Sequence, residues 1–119
     1  MGLHPVERTI DALLEDARAT ITRLTPAEAR AAQEEGALLV DTRSPDQQAE
    51  HGLIPGAIHH PLSVVLWRLD ELPRETRVIL ICRHGYSSSL AAAQLVELGF
   101  RDVGDVIGGA EAWQAELGH

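Results

Sequence analysis

Cys82 is the only cysteine in this chain of 119 residues, and it follows directly on the apolar run Val78, Ile79, Leu80, Ile81 at the head of the segment CRHGYSSS. A run of that kind reads as a buried strand, and a helical pattern opens at Leu90, so the thiol lies on a short loop feeding a helix N-terminus. The unpartnered N–H groups there, with the helix dipole, favour a negative charge held in front of them. A thiolate is such a charge, and Arg83 and His84 add positive charge beside it, so this thiol is expected to ionise more readily than a free one. Gly85 lets the loop curl back without placing a side chain before the sulfur. The successive amides of such a curl form a nest for a thiolate, a persulfide or an incoming oxyanion. Ser87, Ser88 and Ser89 are suited to cap the following helix. The competing reading of a lone cysteine is a small buried apolar residue, and it is the loop around Cys82 that favours a nucleophile.

The elements that must position this loop alternate along the chain. Apolar residues at Ile10, Leu13, Leu14, Ala17 and Ile21 predict an amphipathic helix from Pro5 to about Ile21. Thr25, Pro26 and Glu28 have the spacing of a capping box opening a second helix, with Gly36 at its end. Strands are predicted at 37–40, 57–59, 77–81 and 103–107, and helices at 45–50, 62–69, 88–98 and 110–117. Strands separated by helices imply a parallel sheet covered on both faces. Ligands of such sheets bind beyond the carboxyl ends of the strands, where Cys82, Asp41 to Arg43, and Gly108 with Gly109 all emerge. Asp41 and Arg43 are read as tying loops together by hydrogen bonds, and the two glycines as turning tightly beside the cysteine loop. Trp113 is read as core. For Trp67, lining the pocket and plain packing stand level.

Composition narrows the function further. One domain fits the length, and 45% hydrophobic content is that of a globular chain able to form a core. A formal charge of -8 without clustered basic residues speaks against a nucleic-acid partner. No apolar stretch long enough to span a membrane occurs, and nothing resembles a secretion signal, so a cytoplasmic location is expected. A single cysteine cannot form an internal disulfide, which agrees with a reducing compartment. Among six histidines, His59 and His60 are adjacent, and adjacent residues at a strand end point to opposite faces, so no metal site is expected.

The segment CRHGYSS resembles the active-site loop of the rhodanese family, sulfurtransferases whose six-residue loop begins with the catalytic cysteine; here that loop is Cys82 to Ser87. Upstream, LLVDTRSPDQQAEHGLIPGAIHHPL is similar to the family's first signature, and downstream VGDVIGGAEAW is similar to its closing one. The resemblance implies an α/β fold of three layers, α/β/α, with a central parallel sheet, in a domain at 25–119 preceded by an N-terminal helical extension at 1–24. It implies sulfur transfer through a persulfide on Cys82, from thiosulfate or a persulfide to a thiol or cyanide, without metal or organic cofactor. Arg83, His84, Gly85, Tyr86, Ser87 and Ser88 would bind the substrate, and Asp41, Arg43, Gly108 and Gly109 would serve structure.

Two departures bear on function. Many rhodaneses have arginine at the last loop position, where this chain has Ser87, and Tyr86 precedes it. The acidic residue that often partners the arginine corresponding to Arg43 falls near Gln47 or Gln48, which leaves Asp46 and Glu50 as its expected partners. Rival readings follow. A cysteine phosphatase or arsenate reductase needs an arginine six positions after the cysteine to grip a dianion, and that position is Ser88. A non-catalytic sulfur- or redox-sensing or partner-binding module stays open because Ser87 replaces the arginine. The extension is expected to pack on its own domain, with a homodimer contact as the alternative, and to stabilise without touching Cys82 chemistry.

Overall fold

Five short strands form one all-parallel sheet in the computed structural model, which describes residues 7–118. In chain order they are β1 (Thr22–Leu24), β2 (Leu38–Asp41), β3 (Ile58–His59), β4 (Val78–Ile81) and β5 (Val103–Val106), arranged across the sheet as β1-β5-β4-β2-β3. β4, which leads into Cys82, is therefore the central strand. All four of its residues are buried, as its unbroken apolar sequence requires of a strand covered on both faces.

Alternation along the strands sorts the core into two layers. Leu39, Ile79, Ile81 and Val106 face the helices α2 (Pro26–Glu34) and α6 (Gly109–Leu117), with Ala29, Ala32 and Trp113 filling that side. Val40, Val78, Leu80 and Val103 face α4 (Val65–Leu69) and α5 (Ser87–Glu97), where Ala91, Ala92, Leu95 and Phe100 complete the second layer. α1 (Ile10–Thr20) packs outside α5 and buries Leu14 and Ala17. Pro5 and Val6, where its start was expected, lie outside the described residues. The three-layer α/β/α architecture is that expected from the sequence. Among the described residues no helix is long and apolar enough to cross a membrane.

Local signals account for most boundaries. The capping box of α2 is present: the Thr25 hydroxyl accepts from the Glu28 amide, and Glu28 accepts from the Thr25 amide. A second box, Ser44 with Gln47, opens α3 (Pro45–His51). α4 starts later than the expected Leu62, because the Leu62 amide is committed to the Thr42 carbonyl at 3.0 Å and the next residues turn before the helix begins. β1 was not foreseen at all. Thr22 to Leu24, to which the sequence assigns no element, pairs in register with Gly104 to Val106 and forms one edge of the sheet.

Candidate active site

Cys82 stands one residue past β4, and its side chain falls on the α5 side of the sheet because it continues the alternation of Val78 and Leu80. Cys82 is 6% exposed, and its sulfur takes the place of a helix cap: α5 has Tyr86 at its N-cap position and no side chain capping it. The expectation that a serine caps α5 is thus corrected, and the reason is visible in the loop. The Gly85 amide donates to Sγ at 3.1 Å, and the thiol meets the Ser88 hydroxyl at 3.2 Å. Burial pushes the thiol pKa up, but hydrogen bonds from the Ser88 and Ser87 hydroxyls and the Ser88 and Gly85 amides outweigh it and hold Cys82 below an ordinary thiol.

Two glycines permit this arrangement. Gly85 has φ +87°, and a Cβ there would stand 2.9 Å from the Gly108 nitrogen and 3.1 Å from the Val106 oxygen. Gly109 has φ +63°, and a Cβ there would stand 2.4 Å from the Cys82 oxygen. That close approach lets the first amides of α6 serve the cysteine loop, with the Ala110 N–H donating to the Cys82 carbonyl at 2.7 Å and the Glu111 N–H to the Arg83 carbonyl at 3.1 Å. The paired glycines of the closing motif therefore hold the loop by its carbonyls and leave its amides for the sulfur.

A cleft of about 480 Å³ opens in front of Cys82. Arg83, His84, Tyr86 and Ser87 line it from the loop, with Leu62 and Thr42 among the residues opposite. Gly85 and Ser88, expected among the substrate contacts, do not line it: Gly85 turns behind the sulfur, and Ser88 is fully buried. His84 Nδ1 lies 2.8 Å from the Glu111 carboxylate, so the imidazole is engaged by that neighbour rather than free to meet a substrate. Tyr86 is 60% exposed, and its ring lies over the Arg18 guanidinium, 5.9 Å from the centroid. Trp67 neither lines this cleft nor packs inside; it is exposed on α4 at a separate hollow with Leu98. Trp113 is core.

The partner expected for Arg43 is also corrected. Asp46 and Glu50 do not reach it. Asp41 does, with Nη2 2.8 Å and Nε 3.0 Å from its carboxylate oxygens, and Gln48 donates to the same carboxylate at 2.9 Å. Two residues apart at a strand end, Asp41 and Arg43 can close a fork over the turn, whereas the first helical turn of α3 carries Asp46 outward.

Three residues that the sequence did not single out, Asp105, Arg23 and Arg18, stand behind the cysteine loop. Asp105 on β5 is wholly buried, and Ser88 and Ser89 donate to its Oδ2 at 2.9 and 2.6 Å. Arg23 on β1 grips the same carboxylate, Nε to Oδ1 at 2.9 Å, and Arg18 on α1 donates to the Gly85 carbonyl at 2.8 Å and to Ser89 at 3.1 Å. The available signal was a lone carboxylate flanked by valine and glycine inside an otherwise apolar strand, because a buried charge demands a partner.

A family model described as the rhodanese-like domain matches residues 25–116. The thiosulfate sulfurtransferase GlpE of Pseudomonas syringae pv. syringae is 40% identical over 92 residues, which cover 77% of this chain and 86% of that one. A sulfurtransferase of Allochromatium vinosum is 38% identical over 84 residues, covering 71% and 78%. Among solved structures, a Rhodopseudomonas palustris protein described as of unknown function, possible tyrosine phosphatase, superposes with a TM-score of 0.81 at 27% identity over 97% of this chain and 96% of its own.

Proposed function

The chain belongs to the rhodanese-like domain family and is a sulfurtransferase, and we propose that it carries the travelling sulfur as a persulfide on Cys82. The observation that supports this is the convergence of the Gly85 amide and the α5 N-terminus on the one thiol of the chain, at the mouth of the cleft. The thiolate attacks the outer sulfur of thiosulfate, the sulfur–sulfur bond breaks, and sulfite leaves with the electron pair. A persulfide donor reacts in the same way and releases its thiolate. The loop amides then face the anionic outer sulfur of Cys82 persulfide, where preorganised donors are most effective. A thiol or cyanide attacks that outer sulfur and restores the Cys82 thiolate. Arg83 and Ser87 at the cleft wall contact the donor's charged end. The lone thiol suits a reducing, cytoplasmic setting.

The description of the Rhodopseudomonas protein raises a phosphatase reading, which this site does not favour. An arginine fork for a phosphate would have to come from position 88, where the serine is buried against Asp105.

The deciding experiment is intact mass spectrometry after incubation with thiosulfate or a small persulfide. The wild type is expected to gain one sulfur and Cys82→Ser none, with loss of the sulfur on adding a thiol. A wild type that gains nothing from either donor refutes the persulfide reading, and one that gains sulfur but never releases it is a sensor rather than a transferase.

A further inference from the structure

The Ser88 hydroxyl has one proton and two claimants. Its oxygen lies 3.2 Å from Cys82 Sγ and 2.9 Å from Asp105 Oδ2. While Cys82 is a thiol, the arrangement is satisfied in one direction: the S–H donates to Ser88 and Ser88 donates to the carboxylate. Once Cys82 is a thiolate, it has no proton to give, and Ser88 must turn its own toward sulfur and away from Asp105. The carboxylate therefore competes with the thiolate for the same hydrogen bond. How hard it competes depends on what else satisfies it, and here that is Ser89 at 2.6 Å and the forked guanidinium of Arg23 at 2.9 and 3.3 Å.

Arg23 reaches Asp105 because β1 and β5 are parallel and pair Arg23 with Asp105 in register, side chains on one face. β1 and α1 precede the segment that the family model matches, 25–116. We propose that Arg23, acting through Asp105 and the Ser88 hydroxyl, is a positioning residue that sets how readily Cys82 becomes a thiolate, so that the N-terminal unit α1–β1 belongs to the sulfur-transfer apparatus. Neutralised by the Arg23 fork, Asp105 orients Ser88 without holding it, and Ser88 is released to the sulfur when the charge forms. The other charged or titratable groups around the loop are Arg18 on the Gly85 carbonyl, Arg83 and His84 at the cleft with Glu111 against His84, and the closed Asp41–Arg43 pair across the cleft. None of these touches the Ser88 hydroxyl.

The inference rests on Cys82 being the sulfur carrier, but its test reads thiol ionisation alone, so the two can fail separately. The rate of iodoacetamide alkylation of Cys82 is measured against pH in folded protein, with folding checked by circular dichroism. Arg23→Gln leaves Asp105 without its cation, and the midpoint is expected to rise, slowing alkylation roughly tenfold at neutral pH. Asp105→Asn removes the competitor, and the midpoint is expected to fall. The double variant is expected to match Asp105→Asn, because Arg23 acts through that carboxylate. In a Ser88→Ala background the effect of Asp105→Asn is expected to vanish, because the hydroxyl that transmits it is gone. Shifts of the same sign in the two single variants, or no shift, overturn the proposal. A shift from Asp105→Asn that persists without the Ser88 hydroxyl also overturns it, since the carboxylate would then act by its field alone. Should Arg23→Gln not fold, Arg23→Lys keeps the charge but loses the fork, and an unchanged midpoint there together with an unchanged one in Asp105→Asn is equally fatal.

Discussion

Asp41 and Arg43, two residues apart at the end of β2, face each other with Nη2 2.8 Å from the carboxylate and both side chains closed off from solvent. The same guanidinium donates to the Gly52 carbonyl at 2.8 Å, which ties the chain after α3 back to the sheet. A buried pair of this kind contributes little relative to apolar replacements, but breaking it strands a charge.

Asp41→Asn is therefore expected to cost about 3–5 kcal/mol, read as a drop in the urea midpoint. The sign of the pH dependence follows from the carboxyl. Burial raises its pKa, yet hydrogen bonds from Arg43, Gln48 and the Arg43 amide outweigh burial and hold it below the usual range. Its contribution is thus complete above the unfolded value of about 3.9 and fades as pH falls through the lower folded value. The wild type should lose urea resistance in that acid window while Asp41→Asn, already without the contribution, changes less. Parallel acid profiles for the two proteins would contradict this.

Gly109→Ala is expected to be more costly than Gly36→Ala, although both glycines have positive φ. At Gly36 a Cβ meets nothing within 4 Å, so only backbone strain of about 1–2 kcal/mol applies. At Gly109 the Cβ would stand 2.4 Å from the Cys82 oxygen, so α6 must withdraw and the Ala110 bond to that oxygen is lost. Thermal melts should rank Gly109→Ala below Gly36→Ala, and sulfur transfer should fall only in the former. Equal melting temperatures would show that the loop and α6 separate at no cost.

The fold was legible wherever a local signal carried it. The capping residues at Thr25 and Glu28, the apolar run into Cys82 and the glycines after β5 each act within a few residues, so the sequence shows them directly. β1 was not legible because three residues carry no periodicity, and only pairing with β5 makes them a strand. The partner of Arg43 was misplaced for a related reason, since the turn after β2 decides which carboxylate the guanidinium meets. Arg23 and Asp105 lie far apart in the chain, and the parallel register of β1 and β5 is what sets them side by side behind Ser88.

That register also changes the expectation for the extension. α1 leaves Ile10 and Leu13 exposed at 59% and 42% but buries Leu14 and Ala17 on its own domain, and β1 covers the edge of β5. A chain beginning at Thr25 would expose that edge, lose Arg18 from the Gly85 carbonyl and lose Arg23 from Asp105. Such a chain is expected to be less stable, more prone to aggregate and slower in Cys82 alkylation. The milder Arg18→Gln should keep the fold while slowing sulfur transfer several-fold. Sedimentation decides the alternative: a truncated protein of unchanged stability that has become monomeric would mean the extension serves a homodimer contact instead.

The identity of residue 87 bears on which sulfur donor this chain prefers. Ser87 begins α5 and lines the cleft beside Arg83 and Tyr86, so a side chain there meets whatever approaches Cys82. Thiosulfate is a dianion. Of the arginines near the loop, Arg83 lines the cleft and Arg18 on α1 lies under the Tyr86 ring, while the His84 imidazole is engaged by Glu111. A charge-assisted hydrogen bond contributes roughly 1.5–3 kcal/mol, so an arginine at position 87 would improve thiosulfate use on the order of 10- to 100-fold. The exposed Tyr86 ring and Leu62 offer apolar contact, which suits a bulkier and less charged persulfide better than an inorganic dianion. The wild type is accordingly expected to use small organic persulfides well and thiosulfate weakly, and Ser87→Arg to raise kcat/KM for thiosulfate while leaving the persulfide value within a few-fold. Efficient thiosulfate turnover by the wild type, or no gain in Ser87→Arg, would mean that the loop amides with Arg83 already satisfy the dianion and that charge at this position does not select the donor.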